Sequence, residues 1–264
     1  MSDYQTLELE THRDVAVLWM NRPDVRNAFN ETVIGELTQA LKSLESDAAI
    51  KAIVLAGRGP SFCAGADLNW MKKMAGYSSE ENYEDALGLA AMLNTLHTLK
   101  KPTIARVHGH AYAGGMGLVS ACDIAVAAFE AEFCLSEVKI GLIPATIGPY
   151  VVAAMGERAA HRYMLSAERF TAAEAYRIGL VHEIAPADKI DEKIDELLVH
   201  LVRGGSAAHA GTKALIDVIA ASPLDQALIE DTARRIADVR VTAEGKEGIR
   251  SFLEKRKPNW VPSD

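Results

Sequence analysis

Gly109-His110-Ala111-Tyr112-Ala113-Gly114-Gly115-Met116-Gly117, taken with the upstream stretch Ser61-Phe62-Cys63-Ala64-Gly65-Ala66-Asp67-Leu68, decides how this chain is read. Both set small residues where a strand-forming run gives way to helical spacing. Gly and Ala leave backbone N–H groups open to a ligand, and the positive end of the following helix favours negative charge there. Glycine in a helix costs roughly 1 kcal/mol relative to alanine, so Gly114 and Gly115 point to something that must come close to that backbone. Downstream stands Glu137, in Cys134-Leu135-Ser136-Glu137-Val138-Lys139-Ile140-Gly141. Two donor turns and a carboxylate suit an enolate. The N–H groups of Ala66 and Gly114 would hold an oxygen that gains charge, each contributing roughly 3 to 4 kcal/mol. Glu137, among apolar neighbours that raise its pKa, would move the proton.

Around these turns the chain alternates strands and helices. Residues 4–10, 14–20 and 51–56 read as strands, and 103–108, 123–127 and 132–135 repeat the pattern. Asn30 is placed to cap a helix whose Ile34, Leu37, Leu41 and Leu44 share one face, and Ser78 with Glu81 forms a capping box for a helix reaching Leu99. From Pro144 onward the pattern turns helical, with Thr171 and Asp188 as caps and 180–184 as a strand. The expectation is an α/β chain, with a core over residues 1–200 and a helical region over 201–264. Breaks are expected at 202–206 and 258–264.

The chain has 264 residues, 49% of them apolar, and a formal charge of −8, which is large enough for a sizeable core and ill suited to a nucleic-acid surface. Three cysteines without C-x-x-C spacing predict buried thiols and a reducing, cytoplasmic setting. The opening residues lack the basic and apolar regions of a signal peptide, and the uncharged stretch 140–156 is too interrupted by Pro and Gly to span a membrane.

Other chemistries fit less well. Neither turn matches G-x-G-x-x-G or the P-loop, no serine sits in a G-x-S-x-G elbow, and nothing marks Cys63 as an activated thiolate. His108 and His110, expected on one face of a strand end, lack further ligands at metal spacing, so no metal is predicted.

The order of motifs resembles the crotonase family, the enoyl-CoA hydratase and isomerase superfamily. The match runs from Asn21-Arg22-Pro23-Asp24-Val25-Arg26-Asn27-Ala28 through the two turns, Cys122-Asp123, Glu137 and Gly141-Leu142-Ile143-Pro144 to Gly245-Lys246-Glu247-Gly248-Ile249 and Phe252-Leu253-Glu254-Lys255-Arg256. The resemblance implies a spiral of repeated ββα units with a C-terminal helical trimerisation region. It further implies a homotrimer or dimer of trimers and an acyl-CoA thioester substrate, with coenzyme A entering as part of that substrate and no permanently bound cofactor. By position, Ala66 and Gly114 are the oxyanion donors. Val25, Arg26, Ala28, Ala64, Asp67 and Leu68 line the CoA side, and Phe252 and Lys255 match positions that contact the adenine and phosphate end, commonly across a subunit boundary.

One departure stands out. Hydratases of the family carry a first glutamate three residues past the oxyanion glycine, and here that place is Gly117. One reading is a hydratase for a branched or carboxylated enoyl-CoA, with Gly117 making room at C3. The pattern around Gly114 and Glu137 looks most like the bacterial 3-methylglutaconyl-CoA hydratase group. Another is a Δ3,Δ2-enoyl-CoA isomerase, for which one glutamate suffices. A third is a non-catalytic protein that binds RNA or a partner, disfavoured by the acidic balance. Trp70, Met71, Met74, Tyr112 and Tyr150 would sense the acyl tail, and His110 or Arg106 could meet an acyl carboxylate.

Overall fold

Alternation of apolar residues with period two in the strands, and at three- and four-residue spacing in the helices, builds two layers of core around one sheet. The structure is a computed structural model and describes residues 4–261; the first three residues of the opening segment and residues 262–264 of the expected terminal break lie outside the described residues. The first unit comprises β1 (Leu7–His12), β2 (Val15–Met20) and α1 (Glu31–Ser46). Next come β3 (Ala52–Gly57), α2 (Leu68–Met74) and α3 (Ser79–His97), then β4 (Thr103–Val107), β5 (His110–Tyr112) and α4 (Gly114–Ala121). A further turn of the spiral holds β6 (Ile124–Ala128), β7 (Glu132–Cys134) and α5 (Gly148–Ser166), which is broken at Gly156. The chain continues through β8 (Phe170–Thr171), α6 (Ala172–Arg177), β9 (Glu183–Ala185) and α7 (Ile190–Leu201). It closes with α8 (Ser206–Ala221), α9 (Gln226–Val241) and α10 (Ala243–Leu253).

The first strand of each unit enters a six-stranded sheet of order β1-β2-β3-β4-β6-β9, parallel except for the β1–β2 hairpin. The second strands of later units, β5 and β7, leave it and form a small sheet with β8. This is a spiral of ββα units, as the resemblance implies. β3 shows how the sheet is buried on both faces. Its Ile53 and Leu55 join Leu37 and Leu41 of α1 in the main core, whereas Ala52 and Val54 face Ile190 and Ile194 of α7.

The local signals at α1 and α3 operate as expected. Asn30 accepts from the Val33 N–H at 3.0 Å, and Ser78 with Glu81 completes both halves of a capping box. Thr171 caps α6. Other boundaries differ. β1 begins at Leu7 rather than residue 4, α3 ends at His97 rather than Leu99, and the strand expected over 180–184 lies at Glu183–Ala185. Leu180 and Val181 instead donate their N–H groups to the Ala175 carbonyl. Asp188 does not cap α7, where Lys189 stands at the cap without a side-chain bond. The C-terminal helices dock on the core through Lys213, whose Nζ lies 2.7 Å from the Asp123 carboxylate, and through Lys51, whose Nζ donates to the Trp260 carbonyl at 2.6 Å.

Candidate functional site

Backbone pairing brings the two glycine turns together. The Cys63 N–H donates to the His110 carbonyl at 3.0 Å and the Tyr112 N–H returns to the Cys63 carbonyl at 2.9 Å, so the first turn runs parallel to β5. On its other edge the Phe29 N–H donates to the Gly65 carbonyl at 2.7 Å and the Asp67 N–H to the Phe29 carbonyl at 2.8 Å. In a parallel pair the residue between two such bonds turns its own N–H away from that partner, and here that residue is Ala66. Gly65, at φ +92°, lies against the second turn: a side chain on it would begin 3.1 Å from the Ala113 Cβ. One on Gly115 would begin 2.6 Å from the Cys63 carbonyl oxygen. Only glycine permits this approach.

Ala113, at φ 46° and ψ −117°, turns the chain into α4, whose first N–H belongs to Gly114. That N–H lacks a helical acceptor by construction. Among the described residues, neither it nor the Ala66 N–H has a protein acceptor. Two free donors on touching turns, one of them at a helix N-terminus, can receive an oxygen that carries developing negative charge.

The carboxylate comes just after the neighbouring strand. β7 pairs with β5 at Tyr112 and Cys134, and the Ala113 N–H donates to the Cys134 carbonyl at 2.8 Å. Glu137 then opens a short 3-10 turn, Glu137–Ile140, which packs on α5 and ends at the left-handed Gly141. Its Oε2 is buried without a hydrogen-bond partner, and burial pushes its carboxyl above the ordinary glutamate range. Buried polar atoms are nearly always paired. An acid of raised pKa with a free oxygen is equipped to take and return a proton.

The remaining expected positions fall in several places. Val25 and Arg26 lie at the end of a 3-10 turn, exposed, with the Arg26 carbonyl accepting the Ala64 N–H at 3.0 Å. Leu68 is exposed at the start of α2, and Ala28 is buried. Asp67, expected on the CoA side, has an occupied carboxylate. It accepts from the Asn69 N–H as the cap of α2 and pairs with Arg22 at 2.8 Å. Gly117, expected to make room at C3, lies against a neighbouring side chain. A side chain there would begin 2.3 Å from Ile147 Cγ2, so Ile147, 2% exposed, already fills that space. Phe252, 82% exposed on α10, and Lys255 just after it have no bond to the paired turns among the described residues.

Trp70 is buried with its Nε1 donating to Asp85 at 3.0 Å, Tyr112 donates to Glu132, and Tyr150 stacks edge-on against His97. Arg106 is taken by Asp191 at 2.6 Å, and His110 faces Ser61 and Glu132, so neither is a free cation for a ligand. His108 and His110 do not share a strand: His108 follows β4 beside the Gly59 carbonyl, and His110 lies in the small sheet. Among the described residues no group of three metal-ligating side chains occurs. Burial raises the Cys63 thiol to about 12, which leaves no thiolate near neutrality. Arg22, Phe29 and Ile147 were not singled out by the sequence, although Arg22 stands inside the Asn21-Arg22-Pro23 motif.

The chain is similar along its length to known proteins. The model of the enoyl-CoA hydratase/isomerase family matches residues 10–262. A solved enoyl-CoA hydratase from Shewanella pealeana superposes with a TM-score of 0.95 at 41% identity, covering 97% of this chain and 96% of that one. Pseudomonas aeruginosa AtuE superposes with a TM-score of 0.93 at 36% identity over 98% of this chain and all of its own. The crotonyl-CoA hydratase of Syntrophomonas wolfei is 31% identical over 98% of each chain. With the ββα spiral, the paired glycine turns and this match along nearly its whole length, the chain belongs to the enoyl-CoA hydratase/isomerase family.

Proposed function

We propose that this enzyme adds water across the C2=C3 bond of a carboxylated, branched enoyl-CoA such as 3-methylglutaconyl-CoA. The observation that carries the reading is the buried, unpartnered Glu137 Oε2, just past the strand bonded to a turn that, with its neighbour, offers two unclaimed N–H groups. The thioester oxygen would rest on the Ala66 and Gly114 N–H groups. As water oxygen bonds to C3, the C2=C3 electron pair moves to C2 and the thioester, and its charge is held by the two donors. Glu137 takes a proton from the water and delivers one to C2, so the product gains H and OH and the enzyme returns to its starting state.

Because Ile147 fills the space at Gly117, the branched-substrate reading rests on acid–base chemistry rather than on volume. A site with one carboxylate is helped by a substrate that brings a second. The lone carboxylate also suits Δ3,Δ2-isomerisation, by removing a proton at C2 and returning it at C4. Product mass separates the two, since only hydration adds water. Faster turnover of 3-methylglutaconyl-CoA than of crotonyl-CoA is expected, and the reverse preference would reject the substrate assignment.

In this reading residues 1–200 carry the acyl-CoA site and 201–264 form contacts between copies in a homotrimer or dimer of trimers. Leu224, 86% exposed between α8 and α9, and Phe252 on α10 support a role at such a boundary. Coenzyme A enters only as part of the substrate. The buried free thiols of Cys63, Cys122 and Cys134 favour a cytoplasmic setting, and among the described residues no helix is long and apolar enough to cross a membrane.

A further inference from the structure

We infer that Arg22 is the positioning residue of the oxyanion site, a staple that sets the direction of the Ala66 N–H. The guanidinium bridges two chain segments. Its Nη1 donates to the Ala28 carbonyl at 2.7 Å, and its Nη2 donates to the Asp67 carboxylate at 2.8 Å. Ala28 and Asp67 flank the Phe29–Ala66 bridge from opposite sides, so Arg22 closes a ring around the peptide whose N–H faces the site. Each end of the ring is fixed in turn. The Arg22 N–H donates to Asn27 Oδ1 at 2.8 Å, and Asn27 Nδ2 is anchored on the Ser61 carbonyl at 2.8 Å, at the start of the same turn.

The pairing is charge-assisted and largely removed from water, with Asp67 only 7% exposed. Truncating Arg22 strands that carboxylate, which must then rotate toward solvent or drag the cap of α2 with it. Either movement tilts the peptide between Gly65 and Asp67. An error of about 1 Å in a catalytic group costs about 10²-fold in rate. Lysine, a point charge, cannot reproduce both bonds of the planar fork.

This inference rests on the thioester oxygen binding at Ala66 and Gly114, and the test separates the two. The probe is a para-dialkylaminophenyl-acryloyl-CoA, a push–pull chromophore whose absorption moves to the red when its carbonyl is polarised. Wild-type protein is expected to shift it, and absence of that shift would overturn the oxyanion site and this inference with it. Arg22→Ala is expected to lose at least half of the shift and about 10²-fold in kcat, with KM changed by less than about threefold. Arg22→Lys should fall between. Asp67→Asn, which keeps an oxygen for the Asn69 N–H, is read in the same way and serves if Arg22→Ala does not fold. A full red shift with kcat within twofold of wild type in the folded variant would show that Arg22 only supports the fold, and would overturn the inference.

Discussion

Gly117→Ala tests the packing that shapes the site. In an ordinary exposed helix position, replacing glycine by alanine stabilises by roughly 0.5–1 kcal/mol, because the unfolded chain loses freedom it no longer has to give up. At Gly117 the added methyl would stand 2.3 Å from Ile147 Cγ2 and 2.9 Å from its Cβ, with Leu93 Cδ2 at 3.5 Å behind. Overpacking of this kind costs about 1–3 kcal/mol. Subtracting the helix gain of roughly 0.5–1 kcal/mol leaves a net loss of about 0–2.5 kcal/mol, in place of the gain of the ordinary case. Gly88, in α3, has nothing within 4 Å of the point where a methyl would stand, so it is the internal control and should gain stability as alanine. Urea denaturation at one fixed protein concentration measures both, since subunit association would otherwise shift the midpoint. Combining Gly117→Ala with Ile147→Ala should cost less than the sum of the singles, because the second change removes the atom the first one meets. A stabilised Gly117→Ala, or strict additivity, would refute the account of the space beside α4.

Glu137→Gln should lower kcat by about 10²–10⁴-fold while leaving affinity for a CoA ester largely intact, as read by turnover and by titration of a non-reactive ester. Its stability profile carries a definite sign. The folded pKa of Glu137 is raised by burial, so the native state binds its proton more tightly than the unfolded chain, and ionisation destabilises the fold as pH climbs from the ordinary glutamate value through the folded one. The Gln variant should therefore gain on wild type across that window in thermal melts, and parallel curves would contradict the burial. Asp67 behaves oppositely: desolvation alone would raise its pKa, but the Arg22 hydrogen bond and the Asn69 N–H outweigh it, so its contribution is present above the unfolded value and lost as pH falls through the folded one. Asp67→Asn should flatten the acid limb of the stability curve. Cys63, raised to about 12, should resist iodoacetamide at about pH 8 in the folded protein and react once the chain is unfolded in urea.

Where a signal is local, the sequence carries it. Asn30 with its apolar face, the Ser78–Glu81 box and the Thr171 cap each need only a few neighbouring residues, and each operates in the structure. The glycine turns are legible for the same reason, since Gly114 and Gly115 break helix preference at a helix start. What escapes is set by distant partners. β5 and β8 are three and two residues long, too short for a period-two pattern, and exist because β7 pairs with both. The Asp67 carboxylate is claimed by a guanidinium 45 positions away. Ile147, at the start of α5, and Gly117 in α4 fit one another although no local pattern connects them. Asp188 has a capping side chain, but the helix starts one residue later, at a boundary of the kind that local propensity places only to within a residue or two.

The most direct test is a crystal structure with a bound acyl-CoA or a non-reactive thioester analogue. The account predicts the thioester oxygen at about 2.7–3.1 Å from both the Ala66 and Gly114 amide nitrogens, with the Glu137 carboxylate turned toward C2 and C3. A thioester bound away from those two amides, or a Glu137 side chain rotated into solvent, would contradict it.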